Sequence, residues 1–399
     1  MYLSERHIIR KNHEYFDECD ILSFQSKNIY NYGLFLVKQH FFETKKYLNY
    51  NALYHEIKNH ESYNYLPTKV SCQTLKLIDQ NFKSFFGALK KIKEDKKVRI
   101  PKYLDKIKGR FMVKFPKQAL SLKEFKATGR IALSKSNIKI VTKVKDFDKI
   151  KEVRIVNKND YYVIEVILKT ESVAIKKDNN RYAGVDLGIG NLATVSSNCK
   201  GFVPFIINGK PLKSINQYYN KEKGRLQSEL EKKQKKKKSK KITKLTNKRG
   251  FKVRDYLHKA SRLLVNHLVS NDITKVVIGK NINWKQDINI GKVNNQNFVQ
   301  IPFNDFVNMI KYKCELLGIE VITREESYTS KCSFFDGEEI KKHETYLGKR
   351  IKRGLFRTKN GNLINSDLNG SYNILKKEFP RAFADGIEGL GVNPVKFNI

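Results

Sequence analysis

Two aspartates stand where a carboxylate is expensive to place. Asp186 lies in the apolar run "YAGVDLGIGNLATVSS" and is followed at once by Gly188 and Gly190; Asp367 lies in "INSDLNGSYNIL", just ahead of Tyr372, Ile374 and Leu375 at helical spacing. A carboxylate in an apolar strand must find a charge partner or take up a proton. For Asp186 a divalent metal ion is the partner to consider, because two-metal cleavage of a phosphodiester draws three or four carboxylates around ions about 3.5–4 Å apart and leaves positions open for phosphate and water. Gly188 and Gly190 would let the chain turn tightly and let a phosphate backbone approach. Asp367 has a competing role, since an acid in the first turn of a helix satisfies backbone N–H groups and the helix dipole.

The chain around these acids is strongly basic. Its 399 residues carry 79 Lys and Arg against 40 Asp and Glu, a formal charge of +39, and such an excess points to a polyanionic partner. A codon bias toward lysine would explain abundant lysine but not the imbalance of sign. No apolar run reaches the roughly 18 residues of a membrane-spanning helix, and the opening "MYLSERHIIRKNHEYFDEC" carries acids and no apolar signal core. The expectation is a cytosolic, prokaryotic protein with no membrane partner. Five cysteines, Cys19, Cys72, Cys199, Cys314 and Cys332, are scattered without a CxxC pair, so neither a disulfide framework nor a zinc site is visible.

Three textures follow one another along the chain. Residues from about 20 to 95 read as helices with aromatic faces, with Phe82, Phe85 and Leu89 at helical spacing as core. From about 97 to 180 come short β-branched runs, "KVRIP", "RFMVKF", "NIKIVTKV", "EVRIVN" and "YYVIEVILK", which predict an antiparallel β domain. From Tyr182 strands alternate with long helices. "RYAGVDLG" and "NLATVSSN" read as a strand pair, "GFVPFIINGK" as a third strand, "TKVVIGKN" and "IEVITREES" as further strands. Between them lie a helical arm from about 215 to 270 containing "KKQKKKKSKK", and an amphipathic helix with Val307, Ile310, Cys314 and Leu317 on one face. Three strands, then helix, strand, helix, strand, helix is the order of an RNase H-like fold, though many α/β folds share such a pattern.

The motifs "GVDLGIGNLAT", "RDYLHKAS", "NNQNFVQIPF", "EESYTSK", "GKRIKRGLF" and "INSDLNGSYNILKK" together resemble the TnpB family, transposon-encoded RNA-guided nucleases related to type V CRISPR effectors. The resemblance is dense over roughly 180–380. It implies a multidomain α+β protein with an N-terminal helical recognition domain and an antiparallel β, wedge-type domain, then a C-terminal RNase H-like (RuvC) α/β nuclease domain. The implied boundaries are 1–20 for the start of the β wedge, 21–95 for the helical domain and 96–180 for the rest of the wedge. The nuclease occupies 181–330 with its lysine-rich arm at 215–270, a small insert that binds target nucleic acid follows at 331–360, and 361–399 completes the nuclease.

The resemblance also implies a metal site in which Asp186 and Asp367 are the first and third acids. The family's second acid, a Glu at the end of the strand read here as "KVVIGKN", is missing: Gly279 and Lys280 occupy its place. Some relatives carry this Glu ahead of the "YTSK" stretch, which maps to Glu326. Strand alternation sends Glu325 and Glu326 to opposite faces, and Glu326 is the expected ligand. The implied cofactors are two Mg2+ ions held by Asp186, Glu326 and Asp367. Many relatives carry a four-Cys zinc ribbon, whereas "KCSFFDGEEIKKHETYLGKRIKRGLF" offers one Cys and one His, so no zinc is expected. The implied partners are a guide RNA and a double-stranded DNA target, with sequence read by base pairing next to a short flanking motif. Two other readings stay open: a nuclease-inactive guided DNA-binding repressor, and a type V CRISPR effector of the same lineage. Trp284 in "NWKQDINIG" could stack on a base or sit in the core.

Overall fold

Aliphatic and aromatic residues at helical spacing bury one helix pair in the first part of the chain. In the computed structural model, which describes residues 1–91, 98–171, 173–234, 239–280 and 299–399, β1 (Tyr2–Ile9) is followed by α1 (Phe16–Thr44), α2 (Tyr50–Ile57), α3 (Glu61–Asn64) and α4 (Thr68–Leu89). Leu34 and Val37 of α1 and Leu75, Ile78 and Phe82 of α4 are fully buried together, whereas Leu89, at the last residue of α4, is exposed. Next come β2 (Val113–Pro116), α5 (Leu122–Thr128), β3 (Arg130–Ala132), β4 (Lys139–Val141), β5 (Ile150–Asn157) and β6 (Tyr162–Lys169). The antiparallel order β1-β6-β5-β2 joins the first strand to the last, with Tyr2 opposite Lys169. The expected strand "KVRIP" is irregular over 98–101; Pro101 removes a ladder donor there. These elements form one compact unit, Met1–Glu171.

The second unit, Ser172–Ile399, is built on β7 (Tyr182–Leu187), β8 (Asn191–Ser197) and β9 (Phe205–Asn208), then α6 (Lys210–Gln234), α7 (Lys240–Ser270), β10 (Lys275–Gly279), α8 (Phe303–Glu315) and β11 (Glu320–Arg324). A small antiparallel sheet follows, of β12 (Lys349–Lys352), β13 (Leu355–Arg357) and β14 (Leu363–Asn365). β14 runs directly into α9 (Ser366–Glu378), and β15 (Val395–Phe397) comes last. The six-stranded sheet has the order β11-β10-β7-β8-β9-β15. β7, β8 and β9 are antiparallel neighbours, while β10 runs parallel to β7, β11 to β10 and β15 to β9.

Period-2 alternation gives this sheet two unlike faces. Ala183, Val185, Leu187, Ala193, Val195, Val276 and Ile278 pack with Leu257, Leu264 and Leu268 of α7 and Phe306, Ile310 and Cys314 of α8. Leu317, expected on the same helical face, falls beyond the end of α8 and is exposed. The opposite face meets α9, where Tyr182 and Val277 pack on Ile374 and Leu375. Ser371 Oγ donates to the Gly184 carbonyl (2.8 Å) and is 2.7 Å from Ser196 Oγ. The architecture is a multidomain α+β one with distinct helical and sheet regions.

Candidate functional site

Asp186 alternates with Val185 and Leu187 and so falls on the α9 face of the sheet. Val185 pairs with Ile278, which puts the next residues along, Asp186 and Gly279, at the same level on neighbouring parallel strands. Gly279 in turn pairs with Arg324 at the end of β11, and two residues later the chain supplies Glu326. The carboxylate of Glu326 fills the space that a side chain at Gly279 would occupy: a Cβ built there would lie 2.8 Å from Glu326 Oε2 and 2.5 Å from Ile374 Cδ1. A missing side chain on one strand is thus matched by an acid arriving from the next.

Glu325 and Glu326 diverge. Glu325 is exposed and pairs with Lys377 (2.9 Å) and with the hydroxyl of Ser327 (2.6 Å). Those hydrogen bonds, with Ser327 first, hold its carboxyl below the ordinary range. Glu326 turns inward, where burial and then the neighbouring Glu325 charge push its pKa up to about 7.

Asp367 arrives from α9. The helix is capped by its neighbour: Asn365 Oδ1 accepts from the N–H groups of Asp367 (3.0 Å) and Leu368 (3.1 Å). Capping is therefore not the task of Asp367, whose carboxylate accepts from Asn191 Nδ2 (2.8 Å) and Arg350 Nη2 (2.9 Å). Gly370, one turn on, leaves room for the other aspartate, since a Cβ there would stand 2.9 Å from Asp186 Oδ2. Asp186 borders an open cavity yet is crowded by protein atoms. Its pKa is raised well above the ordinary carboxylate value by burial first, then by the charges of Asp367 and Glu326, against a lowering by Arg350.

The structure thus brings Asp186, Glu326 and Asp367 to one end of the sheet. Among the described residues no group of three or more His, Cys, Asp or Glu side chains converges as a ready metal centre; Asp186 lies within electrostatic range of both Asp367 and Glu326. The donor set is nevertheless of the hard, all-oxygen kind suited to Mg2+. One further group suits a polar occupant: Thr194, opposite Asp186 in the β7–β8 ladder, is buried, borders the cavity, and its hydroxyl has no hydrogen-bond partner among the described residues.

The cavity holds roughly 500 Å3, and four cations, Lys210, Lys213, Arg350 and Arg353, line it with Asp186 and Asp367. Arg350 comes from β12 and Arg353 from the turn between β12 and β13. A register shift between Arg350 and Lys352 marks an irregularity in β12, of the kind that re-aims side chains. Gly354, in the left-handed region at φ 79°, makes the turn into β13, and the Arg353 guanidinium stands over Gly190, 3.2 Å from where a Cβ would be.

What precedes this sheet is bolted to α9. Asn369 and Asn373 donate to the Cys332 carbonyl (2.8 and 2.7 Å), and Phe334 stacks on Tyr372 at 4.7 Å. Buried Glu338 accepts from the N–H groups of Ser333 (2.6 Å) and Leu347 (3.0 Å). Cys332 Sγ contacts the Lys341 carbonyl and His343 Nε2 the Glu339 carbonyl, so carboxylate and amide contacts organise this segment.

Sequence reasoning missed Asn191, Thr194 and Asn365, and gave Arg350 no role toward Asp367. Asn365 carried a usable signal, a capping residue two places before Asp367. Asn191 carried none, because its partner lies 176 positions away, and Arg350, 17 positions from Asp367, stood among Lys349, Lys352 and Arg353 with nothing to single it out. Trp284 lies outside the described residues, as do the lysines at 235–238. No helix among the described residues is long and apolar enough to cross a membrane.

Residues 161–285 match the family OrfB_IS605, described as a probable transposase, and residues 303–374 match the Cas12f1-like TNB domain. Asp186 and Gly279 fall in the first stretch, Glu326, Arg350 and Asp367 in the second. The TnpB-like protein ORF457 of Acidianus two-tailed virus is 26% identical over 229 residues, 55% of this chain and 46% of that protein; the match spans about half the relative's length. Among solved structures, a cryo-EM structure of a Cas12f1–sgRNA–target DNA complex is 16% identical with a TM-score of 0.56, covering 90% of this chain and 82% of that one. That likeness is one of fold.

Proposed function

We propose that this chain, a relative of the TnpB transposases and the Cas12f1-like proteins, is a metal-dependent, RNA-guided DNA endonuclease. Its sheet order, with three antiparallel strands flanked by the parallel β10 and β11 on one side and β15 on the other, supports an RNase H-like, RuvC-type reading of the second unit. The charge of +39 suits a guide RNA and a DNA duplex as partners. The observation that carries the proposal is the carboxylate of Glu326 over Gly279, which supports reading the second acid as displaced and not lost.

Asp186, Glu326 and Asp367 would hold the metal. Divalent ions bound there supply an activated water for in-line attack and neutralise charge on the leaving oxygen. The chain's own residues do the rest. Asn191 orients Asp367, and Asn365, by capping α9, leaves that carboxylate available. Lys210, Lys213 and Arg353 offer donors to phosphate oxygens along the cavity wall. Gly188 and Gly190 keep the rim low enough for a backbone to enter.

The test is Mg2+-dependent cleavage of guide-matched DNA by the full chain purified with its co-expressed RNA. Asp186→Ala and Glu326→Ala should each lose activity by on the order of 10²–10³-fold or more while retaining guide-dependent DNA binding, and Glu325→Ala should cut normally. Cutting by Asp186→Ala would remove the proposed site. A second reading, a guided DNA-binding protein that does not cut, draws on the pairing of Asp367 with Arg350; binding without cleavage by the wild type would establish it.

A further inference from the structure

The contact between Arg350 and Asp367 is unusual for a residue meant to hold a cation. Asp367 Oδ1 takes a 2.9 Å hydrogen bond from Arg350 Nη2, which also donates to Ser366 Oγ at 2.7 Å, while Asn191 occupies Oδ2 at 2.8 Å. Both carboxylate oxygens are engaged, one by a neutral amide and one by a full positive charge. An arriving divalent ion is compatible with the amide, which can keep one oxygen, but not with a guanidinium at contact distance. Arg350 is the group that must leave.

It is also built to leave. Its side chain is 50% exposed, against 27% for Asp367, so the pair is open to solvent screening and weak. Its backbone is held in β12 opposite Phe356, which is buried, so a released guanidinium stays at the mouth of the cavity that Lys210, Lys213 and Arg353 line. A phosphodiester entering that cavity would bring the negative charge and paired oxygens that a guanidinium fork binds best.

We propose that Arg350 is an exchangeable counter-ion: it neutralises Asp367 while the site is empty of metal, and it transfers to a backbone phosphate when the metal takes Asp367. Metal loading and phosphate engagement each draw Arg350 off Asp367, so by linkage each strengthens the other. The acids are thereby kept poorly charged with metal until nucleic acid is in place. This inference rests on the metal-site reading above, and its test separates the two.

Mn2+ affinity is measured by electron paramagnetic resonance on the full chain freed of nucleic acid by high salt, for wild type, Asp186→Ala, Arg350→Ala, Arg350→Gln and Arg353→Ala. Asp186→Ala defines the binding that belongs to the site. Arg350→Ala and Arg350→Gln should bind Mn2+ on the order of tenfold more tightly than wild type, and Arg353→Ala, a cation in the same cavity standing over Gly190, should shift affinity far less. Arg350→Gln keeps a donor for Ser366, so a gain shared by both Arg350 variants cannot come from local unfolding. Unchanged or weaker Mn2+ binding in the Arg350 variants would overturn the exchange while leaving the metal site intact. An equal gain in Arg353→Ala would reduce it to a general field effect. Absence of any Asp186-dependent Mn2+ binding in all Arg350 variants and wild type would remove the metal site and the exchange together.

Discussion

The two faces of the six-stranded sheet are made from the same strands and do opposite work. On the face toward α7 and α8, Val185, Val195, Val276 and Ile278 are fully buried among aliphatic and aromatic neighbours. On the face toward α9, Tyr182 and Val277 pack on Ile374 and Leu375, and the remaining alternate positions include Gly184, Asp186, Thr194, Ser196 and Gly279. The first face contributes burial, roughly 1.5–3 kcal/mol for each large side chain. The second keeps that gain at Tyr182 and Val277 and gives it up elsewhere for short side chains that let α9 come close and for a carboxylate in a crowded place. Strand geometry allows the division because a substitution on one face leaves the other untouched. Stability and the candidate chemistry are therefore separable along a single strand.

Moving an acid on the α9 face should have the largest effect. Gly279→Glu alone would crowd Glu326 and Ile374 and lose cleavage, whereas Gly279→Glu combined with Glu326→Ala should recover part of it, because the space over Gly279 is then free and only the flexible tip of Ile374 must shift. Single-turnover cleavage rates of the two single variants and the double variant decide this; a double variant no better than either single would mean that the carboxylate position cannot be exchanged between strands. On the other face, Ile278→Ala should cost about 2–5 kcal/mol in urea unfolding. Its cleavage per folded molecule should stay near wild type, and a selective loss of rate would blur the distinction between faces.

Thr194→Val sharpens the comparison at smaller scale. It replaces a buried hydroxyl that has no partner among the described residues by an isosteric methyl and should stabilise the protein by about 1 kcal/mol, read from the unfolding midpoint, while slowing cleavage. The smallest effect concerns pH. Glu326, raised to about 7, and Asp186, raised also, bind protons more tightly in the folded chain. Their contribution is fully present below the unfolded carboxylate value and is lost as pH rises through about 7. A bound divalent ion offsets that loss, so the melting-temperature gain from Mg2+ over EDTA should grow between pH 5 and 8 and shrink in Glu326→Ala. A gain independent of pH would place the ion elsewhere.

Much of this was legible in the residues. Asp186 announced itself by being an acid in an apolar run followed by two glycines, and the three textures mapped onto helices, an antiparallel sheet and a strand–helix alternation. Cys314 is the core residue its helical position suggested, fully buried against α7. Other features were illegible for a definite reason. β15 is a short strand whose pairing with β9 depends on residues nearly two hundred positions earlier. The competing role for Asp367, helix capping, was plausible until Asn365 was seen to perform it.

By itself the sequence determined the types of residue available: the excess of positive charge, the scarcity of acids, the period-2 alternation that sends Asp186 away from the aliphatic core, and the absence of a side chain at Gly279. The family resemblance pointed to Glu326 for that absence, but only the tertiary structure put its carboxylate over Gly279 and decided which cation faces Asp367. Those choices depend on strand register and on contacts between segments far apart in the chain, such as Asn191 with Asp367 across 176 positions. Alternation and composition are local properties that every residue carries with it, whereas the neutralisation of a charge is a property of the space around it.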